Sequence, residues 1–200
     1  VIPNGVALEL LKTEPVEESY ILYLGRIDTY GKGLDILLEA YAEFQASFPE
    51  IRLVVAGDGR DRTSFDAYVR QLPPPVRKNI EMPGWVSGQR KADLLRRAMF
   101  CIVPSRHDVQ SIAVLEAMAC EKPVVVSDIP ELSYVTDHDA GLSFSSGDSS
   151  SLLTVMQSLA SSGRRLEMGR NGRSWVKGHT LDMVALRYET FLESVVERAG

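Results

Sequence analysis

Residues 99–128 read MFCIVPSRHDVQSIAVLEAMACEKPVVVSD, and their order decides the fold. The apolar run MFCIVP predicts a buried strand, IAVLEAMAC a helix, and VVVSD a second buried strand. Two such strands joined through a helix form a parallel pair with a right-handed crossover. Parallel sheets receive ligands at the carboxyl ends of their strands, and Asp108 stands at such an end. Glu116 lies in the following helix among Ile112, Ala113, Val114, Leu115, Ala117, Met118 and Ala119. A buried carboxylate is costly without a partner. Hydroxyls of a sugar or ribose would supply one; a helix cap and a surface charge are the plainer alternative.

The same alternation runs along the chain. YILYLG (20–25) is a short apolar strand, and Leu34, Leu37, Leu38, Tyr41, Phe44 and Phe48 recur at helical spacing. IRLVVAG (51–57) predicts a strand and RDRTSFDAYVRQL a helix, which Pro73, Pro74 and Pro75 end. NIEMPGWV is a strand and turn, and SGQRKADLLRRA a helix with Ser87 at its N-cap. GLSF is a weaker last strand, and beyond Asp148 the pattern is helical, with a last helix over 180–198. Repeated strand-then-helix order predicts an α/β, Rossmann-like doubly wound parallel sheet of about six strands with helices on both faces. The opening VIPNGVALELL reads as a strand end, an Asn4-Gly5 turn and an exit segment of a longer protein.

Two hundred residues suit one large domain, and 44% apolar with 24% charged residues is ordinary for a soluble globular chain. The net charge of −5 offers no general attraction to nucleic acid or anionic membrane, so an anion must be held by a local cluster. Cys101 and Cys120 lack metal-ligand spacing and read as buried thiols. No apolar stretch approaches the ~20 residues that span a bilayer.

GRIDTYGKG (25–33) puts Arg26 at the end of the first strand and Lys32 in a glycine-flanked turn before a helix. Such a turn offers backbone amides and cations to a phosphate; a solvated basic turn is the alternative. AGDGRD (56–61) lacks the third glycine of a dinucleotide fingerprint, and a tight strand-to-helix turn explains it equally. Asp137-His138-Asp139 has the form of a metal motif without further ligands. His107 adjoins Asp108, and no nucleophile elbow exists for it to serve.

Taken together these segments resemble the C-terminal half of the family 4 retaining glycosyltransferases of the GT-B fold. VIPNGV resembles the interdomain segment and YLGRIDTYGKGLDILLEAYA the family's GR…KG strand–loop–helix. LVVAGDG is similar to its next strand and turn, MPGWVS to the loop that meets the nucleobase, and VPSRHD…LEAMACEKPVVVSD to the E-x7-E region. The resemblance implies that residues 1–19 join two domains, that 20–200 bind the donor, and that an N-terminal acceptor domain is absent from the chain. The implied donor is a nucleotide-diphosphate sugar, with Arg26 and Lys32 on the diphosphate and Glu116 on the ribose. Asp108 would meet the sugar, Val86 would border the base, and amides near Ser111 and Ile112 would help hold the diphosphate. Gly25, Gly57 and Gln110 complete the implied binding surface.

The implied reaction retains anomeric configuration and needs no metal or other cofactor. Arg26, Lys32 and Asp108 are its catalytic groups, and this piece alone would bind donor and transfer nothing. Nucleic acid is not an expected partner. The expected location is cytoplasmic, with any attachment to a membrane surface left to the missing half. Three departures stand out: Asp108 where the family has Glu, Gln110-Ser111 where it has an aromatic residue and Gly, and Glu121 where it has Gly. A nucleotide-sugar epimerase or phosphorylase on the same fold, and a non-catalytic binding module, are the alternatives.

Overall fold

Strands whose successive side chains are buried on opposite faces build a sheet covered on both sides. In the computed structural model, which describes residues 3–199 and side chains as far as residue 196, β1 (Tyr20–Leu24) turns Ile21 and Tyr23 into one apolar cluster and Tyr20 and Leu22 into the other. Val1 and Ile2 of VIPNGV, and Gly200, lie outside the described residues. β2 (Arg52–Ala56), β4 (Phe100–Val103) and β5 (Val124–Ser127) divide in the same way, and none carries a charged residue in its buried interior. β3 (Ile80–Gly84) and β6 (Gly141–Phe144) close the two edges. All six strands pair parallel in the order β3-β2-β1-β4-β5-β6.

One face is covered by α1 (Leu34–Ser47), α2 (Arg62–Gln71), α3 (Pro74–Arg77) and α7 (Ser149–Ser161). The other carries α4 (Gly88–Arg97), α5 (Ile112–Ala119), α6 (Tyr134–Asp137) and much of α8 (Arg165–Val176). Tyr41, Phe44 and Phe48 stack in sequence along α1, which supplies the bulk of the first face. Cys101 and Cys120 are free and buried, and burial pushes the Cys101 thiol up to about 12.

Several expectations need correction. No turn forms at Asn4-Gly5; the segment runs extended and then as a 3-10 helix over Leu8–Lys12. Val6 pairs in parallel with Thr180, and Val6 and Leu10 are buried against α5 and its neighbours. The three prolines end α2 and also begin α3, because a proline in the first turn of a helix lacks only an amide that had no partner there. Ser87 stands at the N-cap of α4, but its side chain makes no capping bond. Asp148, by contrast, caps α7 by accepting from the amides of Ser150 and Ser151. Glu121 takes the left-handed conformation (φ 56°) that makes glycine usual there, and its carboxylate receives Arg173 Nη1 at 2.8 Å.

The strand order reverses between β1 and β4, so the loops leaving their carboxyl ends diverge and leave a crevice. The last helix, α9 (Leu181–Ala199), keeps Val184 buried but exposes Leu186, Phe191, Leu192 and Val196.

Backbone contact sets the crevice walls. Gly33 has φ 66°, and a Cβ there would lie 1.9 Å from the Pro104 carbonyl oxygen in the loop after β4. Gly33→Ala therefore combines left-handed strain with a steric clash and is expected to cost at least about 2 kcal/mol. Urea unfolding would show this as a lower midpoint at unchanged slope.

Candidate functional site

Two adjoining cavities of about 270 and 260 Å³ occupy the crevice, sharing Leu24, Gly25, Arg26, Ile112 and Ala113 as a common wall. The first is completed by Gly57 after β2, Trp85 and Val86 after β3, Lys91 on α4 and Glu116 on α5. The second is completed by Lys32 after β1 and by Asp108, Gln110 and Ser111 after β4. Gly25, Arg26, Lys32, Gly57, Val86, Asp108, Gln110, Ser111, Ile112 and Glu116, picked out from distant parts of the sequence, all line this crevice. The glycine at 57 has a structural reason. A Cβ there would lie 1.8 Å from the Gly25 carbonyl oxygen, so only glycine lets the loop after β2 pass behind the loop after β1.

The charges pair across the crevice. Lys32 Nζ donates to Asp108 Oδ2 at 2.8 Å, and Asp108 Oδ1 accepts from the Val109 amide at 3.0 Å. Glu116 Oε1 accepts from Lys91 Nζ. Its partner is thus a protein cation, where the sequence reading assigned a ligand hydroxyl. Among the described residues Glu116 Oε2 has no hydrogen bond, so one acceptor remains for a ligand. Arg26 is 66% exposed, and its nearest carboxylate, Asp28, is 3.7 Å away; its guanidinium makes no hydrogen bond among the described residues. Its backbone is fixed from below: the Tyr23 hydroxyl donates to the Arg26 carbonyl at 2.6 Å. Burial raises the Tyr23 pKa, which keeps that hydroxyl a donor.

Lys91 and Trp85 were missed by sequence reasoning. Trp85 is 73% exposed at the cavity rim and adjoins Val86, so the loop assignment alone could have flagged it. Lys91 carries no local signal, because its role depends on how α4 packs beside α5. His107 is exposed and lines neither cavity. Asp137 accepts from the Ser133 hydroxyl and Asp139 pairs with Arg164 at 2.7 Å. No group of three His, Cys, Asp or Glu placed to hold a metal occurs among the described residues. A larger hollow of about 430 Å³ beside β3 is lined by Glu18, Arg52, Glu81 and Arg97, which pair with one another.

The Lys91–Glu116 pair is half-buried, so removing the cation strands a carboxylate with little water around it. Lys91→Met is expected to cost about 1–2 kcal/mol. The same change in a Glu116→Gln background should cost clearly less, a coupling that a double-mutant cycle of unfolding free energies measures.

A family model described as glycosyl transferases group 1 matches residues 18–162. A phosphatidyl-myo-inositol mannosyltransferase of Mycobacterium leprae is 30% identical over 166 residues, which cover 79% of this chain and 43% of that protein. The sucrose-phosphate synthase structure from Thermosynechococcus elongatus superposes with a TM-score of 0.84 at 24% identity, covering 98% of this chain and 52% of that one. Anabaena Alr3699/HepE, in complex with UDP-glucose, superposes at 0.82 and 16% identity, covering 97% and 57%. The chain thus spans about half the length of these relatives.

Proposed function

The chain belongs to the group 1 glycosyl transferases, and on that premise we propose that it is the donor-binding half of a retaining GT-B hexosyltransferase using a nucleotide-diphosphate sugar. The observation that carries the reading is the meeting of three cations and two carboxylates, from the loop after β1, α4, the loop after β4 and α5, in one crevice at the strand reversal. The UDP-glucose held by the Anabaena neighbour supports a nucleotide-sugar, and the mannosyltransferase relative supports a hexose.

In this reading the base lies beside Val86 and the ribose hydroxyls donate to the free oxygen of Glu116, while Lys91 holds the other. The diphosphate sits across the shared wall between Arg26, Lys32 and the amides at Ser111 and Ile112, where α5 begins. A helix start and two cations favour an anion there. Lys32 is paired to Asp108 before donor arrives, so binding exchanges one anionic partner for another and frees Asp108 to accept from the sugar. As the bond from the anomeric carbon to the phosphate oxygen breaks, charge grows on the leaving diphosphate. Arg26 and Lys32 stabilise it without a divalent cation. A new bond to the acceptor oxygen forms on the same face, and the acceptor proton passes to the departing phosphate oxygen.

Residues 1–19 serve as the link between the halves, and residues 20–200 form the donor domain. The exposed apolar side chains of α9 support a contact with the missing half. No helix among the described residues is long and apolar enough to cross a membrane.

A panel of UDP-, GDP- and ADP-sugars should raise the melting temperature of this chain with one base, the shift growing with the logarithm of ligand concentration. No shift with any of the three would end the donor-binding reading. In the complete protein Arg26→Ala should lower turnover by about 10²–10³, and chelators should leave turnover unchanged. Donor binding without any transfer by the complete protein would instead favour a sensor module. Transfer by this chain alone would refute its role as a half-enzyme.

A further inference from the structure

We propose that Arg106 is a positioning residue that clamps the loop after β1 to the loop after β4 and so fixes where the Lys32 ammonium stands. It lines neither cavity, so any effect on a ligand passes through its neighbours. Its side chain is largely buried and makes four contacts. Nη1 and Nη2 donate to the two oxygens of Asp35 at 2.8 and 2.9 Å, a two-pronged grip that guanidinium can make and ammonium cannot. Nη1 also donates to the Tyr30 carbonyl at 2.7 Å. The guanidinium carbon lies 4.2 Å from the centre of the Tyr30 ring. Its backbone amide donates to the Gly31 carbonyl at 3.1 Å.

These contacts fall on both sides of Lys32, at residues 30 and 31 before it and at 35 after it. Within the loop the bonds are turn-local: Lys32 N to the Asp28 carbonyl at 3.0 Å, Gly33 N to the Tyr30 carbonyl at 3.1 Å and Gly31 N to Asp28 Oδ1 at 3.0 Å. Its first half is tied toward α2 by Thr29 N, which donates to Asp61 Oδ2 at 2.9 Å. Without Arg106 the loop would be tied to the loop after β4 mainly by the Gly33 contact and by the Lys32–Asp108 pair. That pair is the one a bound diphosphate would have to loosen. A clamp beside it lets Lys32 change partners while the loop stays in place. Asp35 lies in the first turn of α1, where a negative charge is favourable in its own right. Losing its arginine should therefore loosen the loop more than the helix.

The inference rests on the nucleotide reading above, so one arm of its test needs no ligand. In Arg106→Gln and in Asp35→Asn, hydrogen exchange at the amides of residues 31–34 is expected to quicken about tenfold while the strand amides keep their protection. Unchanged exchange at 31–34, or equal loss of protection throughout the sheet, would overturn the clamp. The second arm uses UDP and inorganic diphosphate as probes. Either substitution should weaken binding about tenfold, but less than twofold once Lys32 is alanine. An undiminished loss in the Lys32→Ala background would overturn it. If the unaltered chain binds neither probe, the nucleotide reading fails, and the exchange arm alone judges the clamp.

Discussion

At the carboxyl edge of the sheet the loops after β1, β2 and β4 pass one another at backbone contact, and the crevice takes its shape from that constraint. Gly57 passes behind Gly25, and Gly33 lies against Pro104. A side chain at either glycine would drive the walls apart. Because the contacts are made by main chain, the distance between the first cation-bearing loop and the first acid-bearing loop is set before any side chain chooses a rotamer. The pairing of Lys32 with Asp108 at 2.8 Å is a result of that spacing.

The electrostatic pattern follows from the same arrangement. Each acid in the crevice is answered by a cation from a different element: Asp108 by Lys32 and Glu116 by Lys91. Arg26 alone of the crevice cations stands largely in solvent. The resting site therefore holds two matched ion pairs and one net positive charge on Arg26, with one open carboxylate oxygen on Glu116. Such a site meets an anion that carries hydroxyl groups on two fronts, and it does so without leaving a buried charge unanswered while it waits.

Much of this was legible in the sequence, and the limits have physical causes. The sheet could be read because its central strands are buried on both faces, so VVVS and FCIV appear as unbroken apolar runs. Arg26, Lys32, Asp108 and Glu116 could be found because each stands beside the end of such a run or inside an apolar helix. Lys91 could not, since its meaning comes from a neighbour 25 residues away. The same holds for Arg106, whose partner Asp35 lies 71 positions earlier. The Leu8–Lys12 helix was missed because it is held by Val6 and Leu10 packing beneath α5, a contact no local pattern announces. Glu121 was flagged as a departure, and its positive φ explains why glycine is the common choice there.

The exposed apolar side chains of α9 have a colloidal consequence. Leu186, Phe191, Leu192 and Val196 form a greasy rod on the surface of a chain that carries only five net negative charges. At low ionic strength that charge keeps molecules apart, while sulfate or phosphate screens it and strengthens the attraction between apolar surfaces. The second virial coefficient of the isolated chain is thereby tied to salt through one helix.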